Sequence, residues 1–171
     1  RRMAEVQGWD GKHRPSTPCD VNIKKLVDEL ERTKASRIVD PRLLAEYRSL
    51  MGSLLYSAVA MRPDAAYAVG VLCRCMTYPD ERALAVARRV LAYLASNDDL
   101  AIIFDGSKGL EVGAFTDADW AEGPSTTGYV LKVCGGCVAW KSVKQKCIAM
   151  SSCEAELIAA NAAAAECVHL S

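Results

Sequence analysis

ASNDDLAIIFDGSKGLEVGAFTDADW, residues 95–120, is where the period of the chain changes. Upstream, apolar residues recur every three to four positions; here LAIIFD (100–105) is a short apolar run, Gly106-Ser107-Lys108-Gly109 is a turn, and LEVGAFTD (110–117) alternates. Helical spacing therefore gives way to strand spacing near residue 98. Beyond it, TTGYVLKV (126–133) and CVAWKS (137–142) flank Gly135-Gly136 and predict a hairpin with a two-residue turn. Helices before the switch, an antiparallel sheet after it and a last helix make the chain α+β. Three segments follow: an irregular lead-in over 1–20, a helical region over 21–98, and a sheet with one packed helix over 99–171.

The helical region carries its own punctuation. Residues 21–36 place Ile23, Leu26, Val27 and Leu30 at helical spacing. Asp40-Pro41 sets a capping side chain before a proline at the first helical position, and the stripe Leu43, Leu44, Tyr47, Leu50, Met51, Leu54, Leu55 and Val59 predicts a long helix. Pro63 opens the next, with Ala65, Ala68, Val69, Leu72, Cys75 and Met76 in register; Pro79-Asp80-Glu81 opens another, with Leu84, Ala87, Leu91 and Leu94 running to about Ser96. Arg88 and Arg89 read most simply as its solvated face.

Composition bounds the function. The 171 residues are 51% hydrophobic, and 21 basic side chains balance 21 acidic ones, so any contact with nucleic acid has to come from a local patch. No apolar run approaches a membrane span, and the expected setting is intracellular, in cytoplasm or nucleus, with reduced thiols. Cys134-Gly-Gly-Cys137 has the spacing of half a zinc site, but its glycines read as the hairpin turn and no second knuckle of proper spacing follows.

The last helix begins at SSCE (151–154), where Ser151 and Glu154 form a capping-box pattern: the Ser side chain accepts from the Glu N–H and the Glu reaches back to the Ser N–H. Its expected sheet-facing stripe is Cys153, Leu157, Ala160 and Ala164. Hydrolysis of a phosphodiester with hard divalent ions needs several carboxylates aimed at one spot, since Mg²⁺ takes oxygen ligands and two ions about 4 Å apart stabilise attacking and leaving oxygens. Asp117 and Asp119 leave one face of a strand end, and a helix glutamate is the natural third partner. Glu154 and Glu156 point about 200° apart, so one strand meets only one of them; Glu154 has a local use in the cap, which favours Glu156. Ordinary solvated glutamates remain the plainer account of the spacing alone.

Further blocks carry more than pattern. YRSLMGSLLYSAVAMRPDAAYAVGVLCRCM (47–76), RRVLAYL (88–94), FTDADWAE (115–122), STTGYVLKVCGGCVAWKSVKQK (125–146) and SSCEAELIAA (151–160), with STPCD (16–20) at the entry, closely resemble in this order the C-terminal part of copia-type retrotransposon polyproteins, where reverse transcriptase leads into RNase H. The resemblance covers about Thr17 to Leu170. It implies that the helical region is thumb- or connection-like, and that residues 99–171 are a partial RNase H-like domain. It implies Asp117 as the first metal-binding and catalytic carboxylate, Glu156 as the helix carboxylate, and Asp119 as a turn-stabilising or second-shell residue.

The same resemblance implies Mg²⁺, with Mn²⁺ as the alternative, and an RNA–DNA hybrid or other nucleic acid as partner, contacted through Lys141, Lys144 and Lys146. Lysines guarding a strand edge are an equally good account of those three. Departures are mild at EGPSTTGY, at Glu154-Ala155-Glu156-Leu157 and at DADWAEG. The family's third and fourth carboxylates would follow Ser171, and no Tyr-x-Asp-Asp occurs, so cleavage by the chain as it stands is expected to be severely weakened or lost. The alternative is a non-catalytic fragment that binds nucleic acid or a protein partner. A sheet beginning at Leu100 would leave an edge open, which predicts self-association.

Overall fold

A computed structural model describes residues 9–121 and 123–170. The chain divides into two compact units, one ending at Leu100 and the other beginning at Ala101.

The first unit is helical. It comprises α1 (Ile23–Thr33) with a 3-10 turn at Lys34–Ser36, α2 (Pro41–Ala60), a 3-10 turn at Pro63–Ala65, α3 (Ala66–Cys73) and α4 (Glu81–Ser96). The capping side chains read from sequence act as such: Asp40 accepts from the Arg42 N–H at 3.0 Å and Asp80 from the Ala83 N–H at 3.0 Å. Ile23, Val27 and Leu30 of α1 meet Tyr47, Leu50, Met51 and Leu54 of α2, with Leu72 of α3 and Leu84 and Leu91 of α4 completing the core. The expected α2 stripe drifts at its end. Leu55 and Val59 are exposed and Ala58 is buried instead, because the buried line 47, 50, 51, 54, 58 follows the turn of the helix and leaves its neighbours on the rim.

Polar side chains tie these helices together. The Tyr47 hydroxyl donates to the Leu72 carbonyl at 2.8 Å inside the core, and burial pushes its pKa far above the ordinary tyrosine range. Arg62 is buried, forks onto both Asp64 oxygens at 2.9 and 2.8 Å, and donates to the carbonyls of Leu94 and Asn97 at 3.3 and 3.0 Å. A guanidinium thus closes the C-terminal end of α4, where carbonyls lack intrahelical partners and the dipole is negative. Arg74 reaches Asp28 and Glu31 on α1, and Arg82 reaches Glu29.

The second unit contains β1 (Val112–Asp119), β2 (Thr126–Val133), β3 (Gly136–Lys144) and α5 (Ser152–Leu170). The strands form an antiparallel meander in the order β1-β2-β3, and α5 packs on β1 and β2. Tyr129 and Leu131 of β2 meet Ala163 of α5, with Ala139, Ala162 and Cys167 around them.

Three expectations are corrected here. Residues 100–105 do not form a strand: Asp105 donates one backbone bond to the Cys134 carbonyl, then turns by accepting from Ser107 and Lys108, which ends any ladder. The hairpin turn is Cys134-Gly135, one residue earlier than expected. Both have positive φ, 51° and 79°, as a two-residue turn of this hand requires, while Gly136 pairs with Val133 inside the ladder. Finally, α5 buries Ala155, Ala159 and Ala163, whereas Cys153 and Leu157 and the alanines at 160 and 164 are exposed. Methyl side chains let helix and sheet approach closely, so the smallest residues, not the largest, mark the packed face.

Candidate functional site

The pleat decides where each candidate side chain goes, because residues opposite one another in an antiparallel pair leave the same face. Thr127, Tyr129 and Leu131 stand opposite Ala118, Thr116 and Ala114, and theirs is the face α5 covers. Asp117 stands opposite Gly128 and Asp119 opposite Thr126, so both carboxylates leave the other face, together as the spacing of two foretold. On α5 the buried line begins at Ala155, and Glu154 and Glu156 flank it, both exposed. Glu154 is occupied in the cap: its N–H donates to Ser151 Oγ at 3.1 Å and its carboxylate accepts from the Met150 N–H at 2.7 Å, one residue before the Ser151 N–H expected to fill that role.

Asp117 and Glu156 thus start from opposite sides of the sheet. Among the described residues β1 pairs with β2 alone, which leaves its other edge as the boundary between the two faces. Among the described residues no group of three or more His, Cys, Asp or Glu side chains is close enough to hold a metal ion. Two carboxylates supply oxygen ligands for a hard cation but leave most of its coordination to water or other groups.

The three lysines are divided by the same pleat. Lys141 stands opposite Tyr129, on the α5 side, and Lys144 opposite Thr126, on the Asp119 side; Lys146 follows the strand and is exposed. A phosphate backbone running along one face therefore meets Lys141 or Lys144, not both.

Gln145, between those lysines, is the residue that pattern reading passed over. It is buried, and its Nε2 donates to Thr127 Oγ1 at 3.1 Å and to the Ala155 carbonyl at 2.9 Å, while its N–H donates to the Ser125 carbonyl at 2.8 Å. Nearby, Trp120 Nε1 donates to the Ala149 carbonyl at 3.2 Å. These bonds fix the first turn of α5, next to Glu156, to the β2 residue that faces Ala118, between Asp117 and Asp119. Between two lysines, nothing in its spacing marks Gln145 as inward. The one legible signal was its place between the last strand and the helix.

The comparisons with known proteins extend this picture. The chain is 39% identical over 128 residues to a secreted RxLR effector protein of Plasmopara viticola, covering 72% of this chain and 90% of that protein. Over 128 residues it is also 39% identical to the retrovirus-related Pol polyprotein from transposon TNT 1-94 of Nicotiana tabacum, and over 132 residues 37% identical to that from transposon RE1 of Arabidopsis thaliana. These alignments cover 72% and 75% of this chain but only 10% and 9% of the polyproteins. The chain belongs to the family of sequences related to retrotransposon Pol polyproteins. Within it, this is a polyprotein fragment, spanning about a tenth of the length of the polyproteins it matches. No family model matches the chain, and no solved structure matches it.

Proposed function

We propose that residues 101–170 are the opening part of an RNase H-like domain of copia type, and that the helical unit before it derives from the end of the reverse transcriptase. In its complete form the domain cleaves the RNA strand of an RNA–DNA hybrid with Mg²⁺ or Mn²⁺, Asp117 and Glu156 being metal-binding and catalytic and Asp119 supporting the turn beside them. Lys144, on the face of the two aspartates, and the exposed Lys146 contribute contacts to the hybrid, in the cytoplasm or nucleus, and Lys141, on the helix side, contributes only where the nucleic acid wraps past the sheet edge. The observation that supports this reading is the arrangement itself: a three-stranded meander followed by a helix, with Asp117 on the edge strand and Glu156 on the first turns of the helix packed against it. Two carboxylates are fewer than a two-ion site uses, so cleavage belongs to the longer polyprotein.

The test compares this chain with a version extended along the polyprotein, on a labelled hybrid with Mg²⁺. The extended protein is expected to cut, and Asp117→Asn and Glu156→Gln to abolish cutting; undiminished cleavage by either variant refutes the assignment. A second reading, that the fragment acts without catalysis by binding nucleic acid or a protein, is favoured by one fact: the Plasmopara relative is scarcely longer than the aligned segment. In that case Asp117→Asn leaves binding unchanged.

A further inference from the structure

A cleft of about 550 Å³ in the helical unit is lined by Trp9, Asp10 and His13 of the lead-in and by Ala85, Arg88, Arg89, Leu91 and Ala92 of α4. That is the size of a small-molecule site, and it combines an apolar floor with few, convergent polar groups. Its lining carries two guanidinium groups and one carboxylate, and Glu46 of α2 stands beside it as the ion-pair partner of Arg88. The carboxylate is turned to local use, since Asp10 accepts from the backbone N–H of Lys12 at 2.9 Å and of His13 at 3.5 Å. Arg89 is held by Thr17, whose carbonyl and hydroxyl accept from Nη2 at 3.4 and 3.1 Å, while its Nε is buried and lacks a hydrogen-bond partner among the described residues. A buried charged donor left unmade is costly, and such a group calls for an acceptor that completes it. Arg88 gives one nitrogen to Glu46 and keeps further N–H groups. On the other wall, the Trp9 ring is fixed by Nε1 donating to the His13 carbonyl at 3.1 Å, so its indole is ordered before any ligand arrives.

We propose that this cleft binds a nucleotide unit, with phosphate oxygens accepting from Arg88 and Arg89 and the base lying on the Trp9 indole. Guanidinium forks match phosphate geometry, and an indole face accepts any base by stacking. The site lies in the helical unit, does not involve Asp117 or Glu156, and stands whether or not the hybrid-cleavage reading holds.

The experiment titrates the whole chain with adenosine monophosphate, with a short 5′-phosphorylated oligonucleotide, and with inorganic phosphate, by calorimetry at low and moderate salt. Saturable binding of the mononucleotide identifies a free nucleotide as sufficient; binding of the oligonucleotide alone identifies the end of a strand. Phosphate is expected to compete with either. Trp9→Ala and Arg88→Gln are each expected to weaken binding about tenfold, the scale of one charge-assisted bond or one stacked base. Arg89→Gln tests the buried donor, with circular dichroism confirming the fold; Arg88→Gln, on an exposed side chain, carries the test if Arg89→Gln does not fold. No saturable binding of either nucleotide ligand at millimolar concentration, or equal binding by wild type, Trp9→Ala and Arg88→Gln, overturns the proposal.

Discussion

Replacing Arg62 with alanine should be among the most damaging single changes in the helical unit. The side chain has 10% exposure and Asp64, its partner, 30%, so the fork between them is shielded but not sealed. Two carbonyls at the end of α4, those of Leu94 and Asn97, lose a charged donor, worth about 1.5 kcal/mol for the pair once partial solvation is allowed. The ion pair, discounted for the exposure of Asp64, adds about 1 kcal/mol, and the guanidinium lying 5.6 Å over the Tyr93 ring about 0.5 kcal/mol. The sum, about 3 kcal/mol, is a large share of a domain stability of about 5–15 kcal/mol. At a urea slope of about 1.5 kcal/mol/M the midpoint should fall by about 2 M. Circular dichroism at 222 nm suits the assay, because most helix lies in this unit. Arg62→Lys should recover only part, since an ammonium cannot fork onto both oxygens. A pH series adds an independent check. Burial raises the Asp64 carboxyl, but the hydrogen bonds from Arg62 and Tyr93 and the charge of Arg62 outweigh it, so its pKa lies below the usual 3.8. This contribution is therefore full above pH 4 and is lost as pH falls through the folded-state value; the gap between wild type and Asp64→Asn should close there. A midpoint shift under about 0.5 M for Arg62→Ala, about a quarter of the expected loss or less at about 1.5 kcal/mol/M, would sink the reasoning.

Other changes probe the second unit and the core. Gly136→Ala would place a methyl carbon 2.6 Å from the Phe104 ring and 2.9 Å from the Ile103 carbonyl, a backbone atom, and should cost about 1–3 kcal/mol in thermal melts; Gly106→Ala, with nothing within 4 Å, should be nearly neutral. Gln145→Leu removes the donor shared by Thr127 and Ala155 and should cost about 1–2 kcal/mol, read as faster amide exchange in the first turn of α5. Tyr47→Phe keeps the ring and deletes the bond to Leu72, for about 1 kcal/mol in urea melts.

Much of this molecule could be read before its coordinates, and the failures share one cause. Asp40, Asp80 and Ser151 announce their helices because caps act within a few residues, and the same locality makes the core lines of α1 to α4 legible from their spacing. What was misread depends on partners far along the chain. Residues 100–105 have strand composition, but no neighbour offers them a ladder. Leu157 looked like a core residue, yet the sheet receives alanines on the next face of the helix. The paired aspartates were placed on one face correctly, whereas the face that α5 would cover was not expressed in any spacing. Gln145 was invisible for the same reason, since its bonds run to Thr127 and Ala155.

The alanine line of α5 has a mechanical consequence. When a helix turns mostly methyl groups toward a sheet, the two come close, and the larger side chains that fill the gap, Tyr129 and Leu131, belong to the strand and leave little room for an intruder. A bulky residue at 155, 159 or 163 would have to lift the whole rod, tilting Glu156 away from β1 as it does so. Bulk added on the outward face, at Asn161 or Ala165, would meet only water. One-sided intolerance of this kind would appear in a mutational scan as a strict period of four, visible without any assay of function.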